Sequence, residues 1–110
     1  MAKDDIFRII YTILKELYEH KKRGTQTPQE DISPERLQII SGYWVAIICE
    51  LVDNRYISGV QYMETKTGRV VSGLDKIDIT LKGIEYLEEN SMMKKVYTFL
   101  KGVKDIAPGV

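Results

Sequence analysis

An α+β fold is predicted by three features of this sequence. Apolar residues recur at helical spacing from Ile6 to about Arg23. Ser33-Pro34-Glu35 is a helix start signal, and a second apolar stretch, Tyr43 to Asn54, follows it. Then come a strand, a turn at Lys66-Thr67-Gly68-Arg69, a return strand, and a closing strand that runs into another helix. Helix-turn-helix followed by a hairpin is the winged-helix order. The predicted fold is therefore a winged helix with a small antiparallel sheet and additional C-terminal helices. It occupies one domain over residues 1–110, with a frayed tail from about 104 to 110.

Each element has its own local cause. Asp4 and Asp5 supply N-cap carboxylates for the first helix. Ile6, Ile9, Ile10, Ile13 and Leu17 form one stripe on it, and Phe7, Tyr11, Leu14 and Tyr18 a second. Lys21, Lys22 and Arg23 suit the negative end of its dipole, and Gly24 ends it. Thr25 to Asp31 reads as a polar loop with a short capped turn at Thr27-Pro28-Gln29-Glu30. Pro at the first helical position then starts a short helix, about Pro34 to Ile40. Ser41-Gly42 is expected to break it, and a third helix to run from about Tyr43 to Asn54. Tyr56 to Glu64 is rich in β-branched and aromatic residues, with Gly59 marking a bulge. Val70 to Leu74 is the return strand. Ile77, Ile79 and Leu81 alternate with Lys76, Asp78 and Thr80, which predicts a strand with one buried face. Thr80 caps a fourth helix, and a last amphipathic helix covers about Met92 to Lys101.

Sixteen basic and sixteen acidic residues cancel, so the whole chain makes no electrostatic bid for nucleic acid or an anionic membrane. No apolar run reaches the length of a membrane span, and the N-terminal decapeptide carries acids where a signal peptide carries bases. The single cysteine, Cys49, excludes an internal disulfide and fits a reducing compartment. Enzymatic chemistry finds little support. His20 is the only histidine and reads as a solvated or dipole-stabilising residue. Cys49 reads as a buried thiol without a base. The glycines form no phosphate loop, and no Cys/His spacing suits zinc. Asp75 and Asp78 fall on opposite faces of a regular strand. A non-enzyme with no cofactor, no metal and no small-molecule substrate is expected.

The segment Asp78-Ile79-Thr80-Leu81-Lys82-Gly83-Ile84-Glu85-Tyr86-Leu87-Glu88-Glu89-Asn90, continued by Ser91-Met92-Met93-Lys94-Lys95 and Phe99-Leu100-Lys101-Gly102, resembles the YjcQ family of small phage and prophage proteins. The resemblance covers most of the chain and is specific mainly in its C-terminal third. It implies a winged-helix fold and the cytoplasm of a bacterial host. It brings no catalytic or binding residue that could be carried over. A phage setting implies a small regulator or accessory factor.

The third helix is the usual DNA reader in this fold, yet it holds no Lys or Arg from Gly42 to Asn54. At about 100° per residue, Trp44, Val45, Ile47, Ile48, Leu51 and Val52 share an apolar arc. Tyr43, Ala46, Glu50, Asp53 and Asn54 face outward. Residues 24–56 carry two bases and five acids, the most acidic part of the molecule. Reading bases with Arg or Lys is therefore not expected here. Two other surfaces are candidates. The wing cations Lys66 and Arg69, joined by Lys76, Ser41 and Tyr43, would contact double-stranded DNA in a weak or atypical manner. The apolar face of the last helix, with Met92, Met93, Val96, Tyr97 and Leu100, would either complete the core or pair two copies as a homodimer. Two functional readings stay open: a DNA-binding or transcription-regulatory accessory factor acting through the wing, and a protein-interaction or homodimerisation module that does not bind DNA. The order of elements puts DNA first. A contiguous basic face would favour DNA, and a mixed face with exposed Tyr and Met would favour protein.

Overall fold

Helix α1 (Ile6–Arg23) is nucleated by Asp5, whose carboxylate accepts from the backbone N–H groups of Phe7 and Arg8 at its positive end. Gly24, in the left-handed region at φ 74°, closes it with N–H bonds back into the last turn. The computed structural model describes residues 5–90, and the expected last helix and tail lie outside them. In the two apolar stripes of α1, Ile9, Ile10, Tyr11, Ile13, Leu14 and Leu17 are buried, Ile6 and Tyr18 are half-buried, and Phe7 is exposed. The loop after α1 holds a 3-10 turn at Gln29–Ile32, entered through Pro28 without a side-chain cap. Ser33 then caps α2 (Pro34–Leu37) by accepting from Arg36 N–H.

Two boundaries differ from expectation. Helix α2 is one turn long, because Gln38 adopts φ 60° and turns its N–H back to Glu35 and Pro34. The break thus falls at Gln38 to Ile40. Ser41-Gly42 is not a breaker but the first turn of α3 (Ser41–Asp53). That helix buries Trp44, Ile47, Ile48, Cys49 and Leu51, and leaves Ala46, Glu50 and Asp53 exposed. The Trp44 indole N–H donates to the Ile32 carbonyl at 2.7 Å, which ties α3 to the 3-10 turn.

After α3 the chain makes two small antiparallel sheets. Strand β1 (Ile57–Ser58) pairs with β4 (Asp78–Ile79), and β2 (Gln61–Thr65) pairs with β3 (Gly68–Ser72). The two ladders are one hairpin interrupted once. Between the pairs Ser58↔Asp78 and Gln61↔Ser72, two residues (59–60) oppose five (73–77). The longer side is a 3-10 turn, Leu74–Lys76. Gly59 and Gly73 make that junction possible. Both have positive φ, and a Cβ on either would lie about 2 Å from a facing backbone carbonyl oxygen. The expected strand through Ile77 to Leu81 is accordingly short. Asp75 sits in the 3-10 turn, and Leu81 is exposed at the start of α4 (Leu81–Glu89). The alternation fails there because Thr80 turns the chain: its hydroxyl caps α4 at Gly83 N–H and donates to the Arg55 carbonyl.

The core gathers Ile9, Ile10, Ile13, Leu14 and Leu17 of α1, the buried face of α3, Ile57, Val60, Ile77 and Ile79 of the β-ribbon, and Leu87 of α4. Gln26 donates its side-chain amide to the Ile77 carbonyl at 2.7 Å, so the loop after α1 lies beside the approach to β4. The class is α+β, with four α-helices and two two-stranded antiparallel sheets among the described residues. No helix among those residues is long and apolar enough to cross a membrane.

Candidate functional site

The β2–β3 hairpin projects from the core beside α3, and its register sorts its side chains. Tyr62↔Val71 and Glu64↔Arg69 lie on one face, Met63↔Val70 on the other. The first face turns toward α3. The Tyr62 hydroxyl donates to Asp53 Oδ1 at 2.8 Å, and Val71 packs against the core. The second face is open: Met63 is 65% exposed and Val70 51% exposed.

Arg69 belongs to the inner face and is folded back on its own molecule. Its Nε lies 3.4 Å from Glu64 Oε1, and its guanidinium carbon stands 5.2 Å from the centre of the Tyr62 ring. The neighbouring Cys49 and Glu64 both favour its charged form and hold its pKa above the ordinary value. Tyr62 is shifted too. The hydrogen bond to Asp53 is the main cause, and it pushes the phenol above its usual range.

The sequence-predicted contact residues are only partly brought together. Ser41 and Arg69 line one groove of about 370 Å³ between the first turns of α3 and the hairpin turn, with Gly42, Thr67 and Gly68 beside them. Lys66 is exposed in the turn itself and has no ion pair among the described residues. Tyr43 is half-buried and outside the groove. Lys76 does not join the patch. It sits against Gly59 at the base of the hairpin, the whole β2–β3 ladder away from the turn. Met92, Met93, Val96, Tyr97 and Leu100 lie outside the described residues.

Sequence reasoning missed Met63 and Val70. Counting outward from the turn would have paired them, because Thr65 faces Gly68 and every second pair then shares a face. It also read His20 as solvated or dipole-stabilising, and the residue does lie in the last turn of α1. The ring, however, is mostly buried, with Nδ1 at 3.1 Å from Thr25 Oγ1 and Nε2 at 3.1 Å from Asp31 Oδ2. Glu16, one turn back on α1, completes a group in which one ligand atom from each of Glu16, His20 and Asp31 lies within 4.8 Å of the others. The Glu16–His20 spacing was visible in the sequence. The approach of Asp31 was not.

The sequence profile of the family described as YjcQ protein matches residues 11–106. No curated protein and no solved structure matches the chain.

Proposed function

The chain belongs to the YjcQ family, and from that premise we propose that it is a non-enzymatic interaction domain, built as a winged helix, whose hairpin docks on protein. It would serve as a phage or prophage accessory factor in the bacterial cytoplasm. The observation that carries this reading is the sorting of the hairpin: the apolar pair Met63 and Val70 faces out, while the cation Arg69 is engaged with Glu64 and Tyr62. Apolar side chains left open on a projecting hairpin are contact surface for another apolar surface. The outward face of α3, with Glu50 and Asp53 exposed, repels phosphate rather than attracting it. The simplest partner is a second copy of this chain, since zero net charge places no electrostatic barrier between copies.

A second reading, DNA contact through the wing, keeps one specific support. The groove joins the N-terminal turn of α3, which has no side-chain cap, to a turn carrying Lys66, which has no ion pair among the described residues. Phosphate contact by Ser41 and Lys66 is the form it takes, without base reading.

One pair of measurements separates them. Sedimentation equilibrium over a range of concentrations is expected to give a reversible dimer that Met63→Glu shifts to monomer. Anisotropy of a labelled duplex at about 50 and 200 mM salt is expected to give no binding. A monomer at every concentration together with salt-sensitive duplex binding would replace the protein reading with the DNA one.

A further inference from the structure

Glu16 and His20 stand one turn apart on α1, so their side chains share a face. The chain leaves α1 at Gly24 and returns past that face in the 3-10 turn, where the Asp31 N–H bonds to the Pro28 carbonyl at 3.1 Å and fixes the residue. Two carboxylates and an imidazole from two separate elements therefore converge, each with its ligand atom within 4.8 Å of the others. From this juxtaposition we infer that Glu16, His20 and Asp31 bind one divalent transition-metal ion of the zinc class.

Geometry supports the inference first. A tetrahedral ion with bonds of about 2.0–2.1 Å sets its ligand atoms about 3.3 Å apart. The His20 Nε2 to Asp31 Oδ2 edge, at 3.1 Å, is already that length. The Glu16 ligand atom lies within 4.8 Å of both. Three protein ligands leave a fourth position for water, as in open sites.

The donor set is the second support. One imidazole nitrogen with two carboxylate oxygens suits zinc, cobalt, iron or manganese, whereas calcium and magnesium take oxygen shells. The third is the way the ligands are held. A metal-binding imidazole is oriented by a hydrogen bond at its other nitrogen, and Thr25 Oγ1 stands 3.1 Å from His20 Nδ1. The second oxygen of Asp31 lies 3.6 Å from an Arg36 nitrogen, which leaves Oδ2 for the ion. Glu16 is 8% exposed, so the group lies largely out of contact with bulk solvent on that side. On binding, the ion takes the Nε2 lone pair and any proton there leaves to solvent. The bound ion would fasten the segment from Thr25 to Asp31 onto α1 just ahead of α2.

The test follows the imidazole itself. His20 is the only histidine of the chain, so its ring signals in a proton–nitrogen NMR spectrum need no assignment. The full chain, freed of metal with a chelator, is titrated with Zn²⁺. The expected result is a shift of the His20 Nε2 signal that saturates at one ion per chain at micromolar concentration and survives a large excess of Mg²⁺. Glu16→Gln and Asp31→Asn are each expected to weaken binding by at least about tenfold, since each removes a ligand charge while keeping shape. An unmoved His20 ring at millimolar Zn²⁺ would overturn the inference, and so would unchanged affinity in the chain carrying both substitutions. The first outcome is read on the unsubstituted protein and does not depend on how the variants fold.

Discussion

The packed body and the hairpin use the same kinds of residue in opposite ways. In the body, Ile47 and Ile48 of α3 are fully buried against Ile13, Leu14 and Leu17 of α1. In the hairpin, Met63 and Val70 are comparably apolar and stand in the open. Composition cannot tell these uses apart. Position relative to a second layer can: α1 and the β1–β4 ladder cover α3, whereas no described element covers the outer face of β2–β3. The body is therefore where stability resides, and the outer hairpin face offers a facing apolar pair to a partner, whereas Phe7, Ile40 and Leu81 are exposed elsewhere on the molecule.

The strongest way to break this comparison is to remove equal bulk from each region. Ile47→Ala leaves a cavity in a closely packed interior and is expected to cost about 3–4 kcal/mol. Met63→Ala is expected to stay within about 0.5 kcal/mol, as exposed positions usually do. Chemical denaturation midpoints at constant slope, at concentrations low enough for the chain to be monomeric, measure both. A loss at Met63 as large as that at Ile47 would mean that the outer face is covered after all.

The junction between the regions comes next. Gly59→Ala puts a methyl 2.1 Å from the Lys76 carbonyl oxygen in a backbone with φ +84°. Strain of the left-handed conformation plus a forced backbone shift is expected to cost about 2–3 kcal/mol. Amide exchange should also accelerate through β2 and β3 more than through α1 and α3, because the junction fixes the hairpin to the body. Uniform acceleration would show that the two regions open as one.

What could be read in the sequence divides along the same line. The caps at Asp5, Ser33 and Thr80 are local chemistry, three-residue signals that hold whatever surrounds them. The helical stripes of α1 and α3 are nearly as local. The early stop of α2 was hidden because Gln38 carries no glycine-like signal for its positive φ. Leu81 was misplaced because the alternation of two was read through a cap that turns the chain. At the candidate site, Lys66 and Arg69 looked alike as cations around a turn. Register parity separates them, placing Arg69 with Glu64 on the α3 side. His20 reads as solvated or dipole-stabilising, and its contact with Asp31 is not legible because Asp31 arrives by tertiary folding.

A smaller test concerns where α3 hands over to the ribbon. Arg55 holds φ 61° so that Tyr56 N–H can reach Leu51 and its own N–H can reach Val52. A side chain is disfavoured in that conformation, and glycine is the usual residue there. Arg55→Gly is expected to raise stability by about 0.5–1 kcal/mol. The Arg55 carbonyl still accepts from Thr80, so the cap of α4 is kept. A loss of stability instead would assign the Arg55 side chain a packing role in the body.

The finest comparison is between tyrosines. Tyr11 and Tyr86 in the body are pushed above the ordinary value near 10 chiefly by burial, with Glu88 adding to the first and Tyr56 and Asp5 to the second. Tyr62 in the hairpin is raised chiefly by its hydrogen bond to Asp53, with burial behind it. The sign is the same for all three. A phenol with a raised folded pKa contributes stability that is fully present below its unfolded value and is lost as pH rises through the folded one. Alkali should therefore unfold the chain above about pH 10, by charging groups that the fold keeps neutral. The causes differ, and that difference is testable by following ring signals through an alkaline titration of Asp53→Ala. Tyr62 should titrate closer to the ordinary value, while Tyr11 and Tyr86 keep their raised ones. Movement of all three together would mean that the hairpin bond holds the body in place. Movement of Tyr62 alone would mean that the bond to Asp53 acts locally, while Val71 still packs the hairpin against the core.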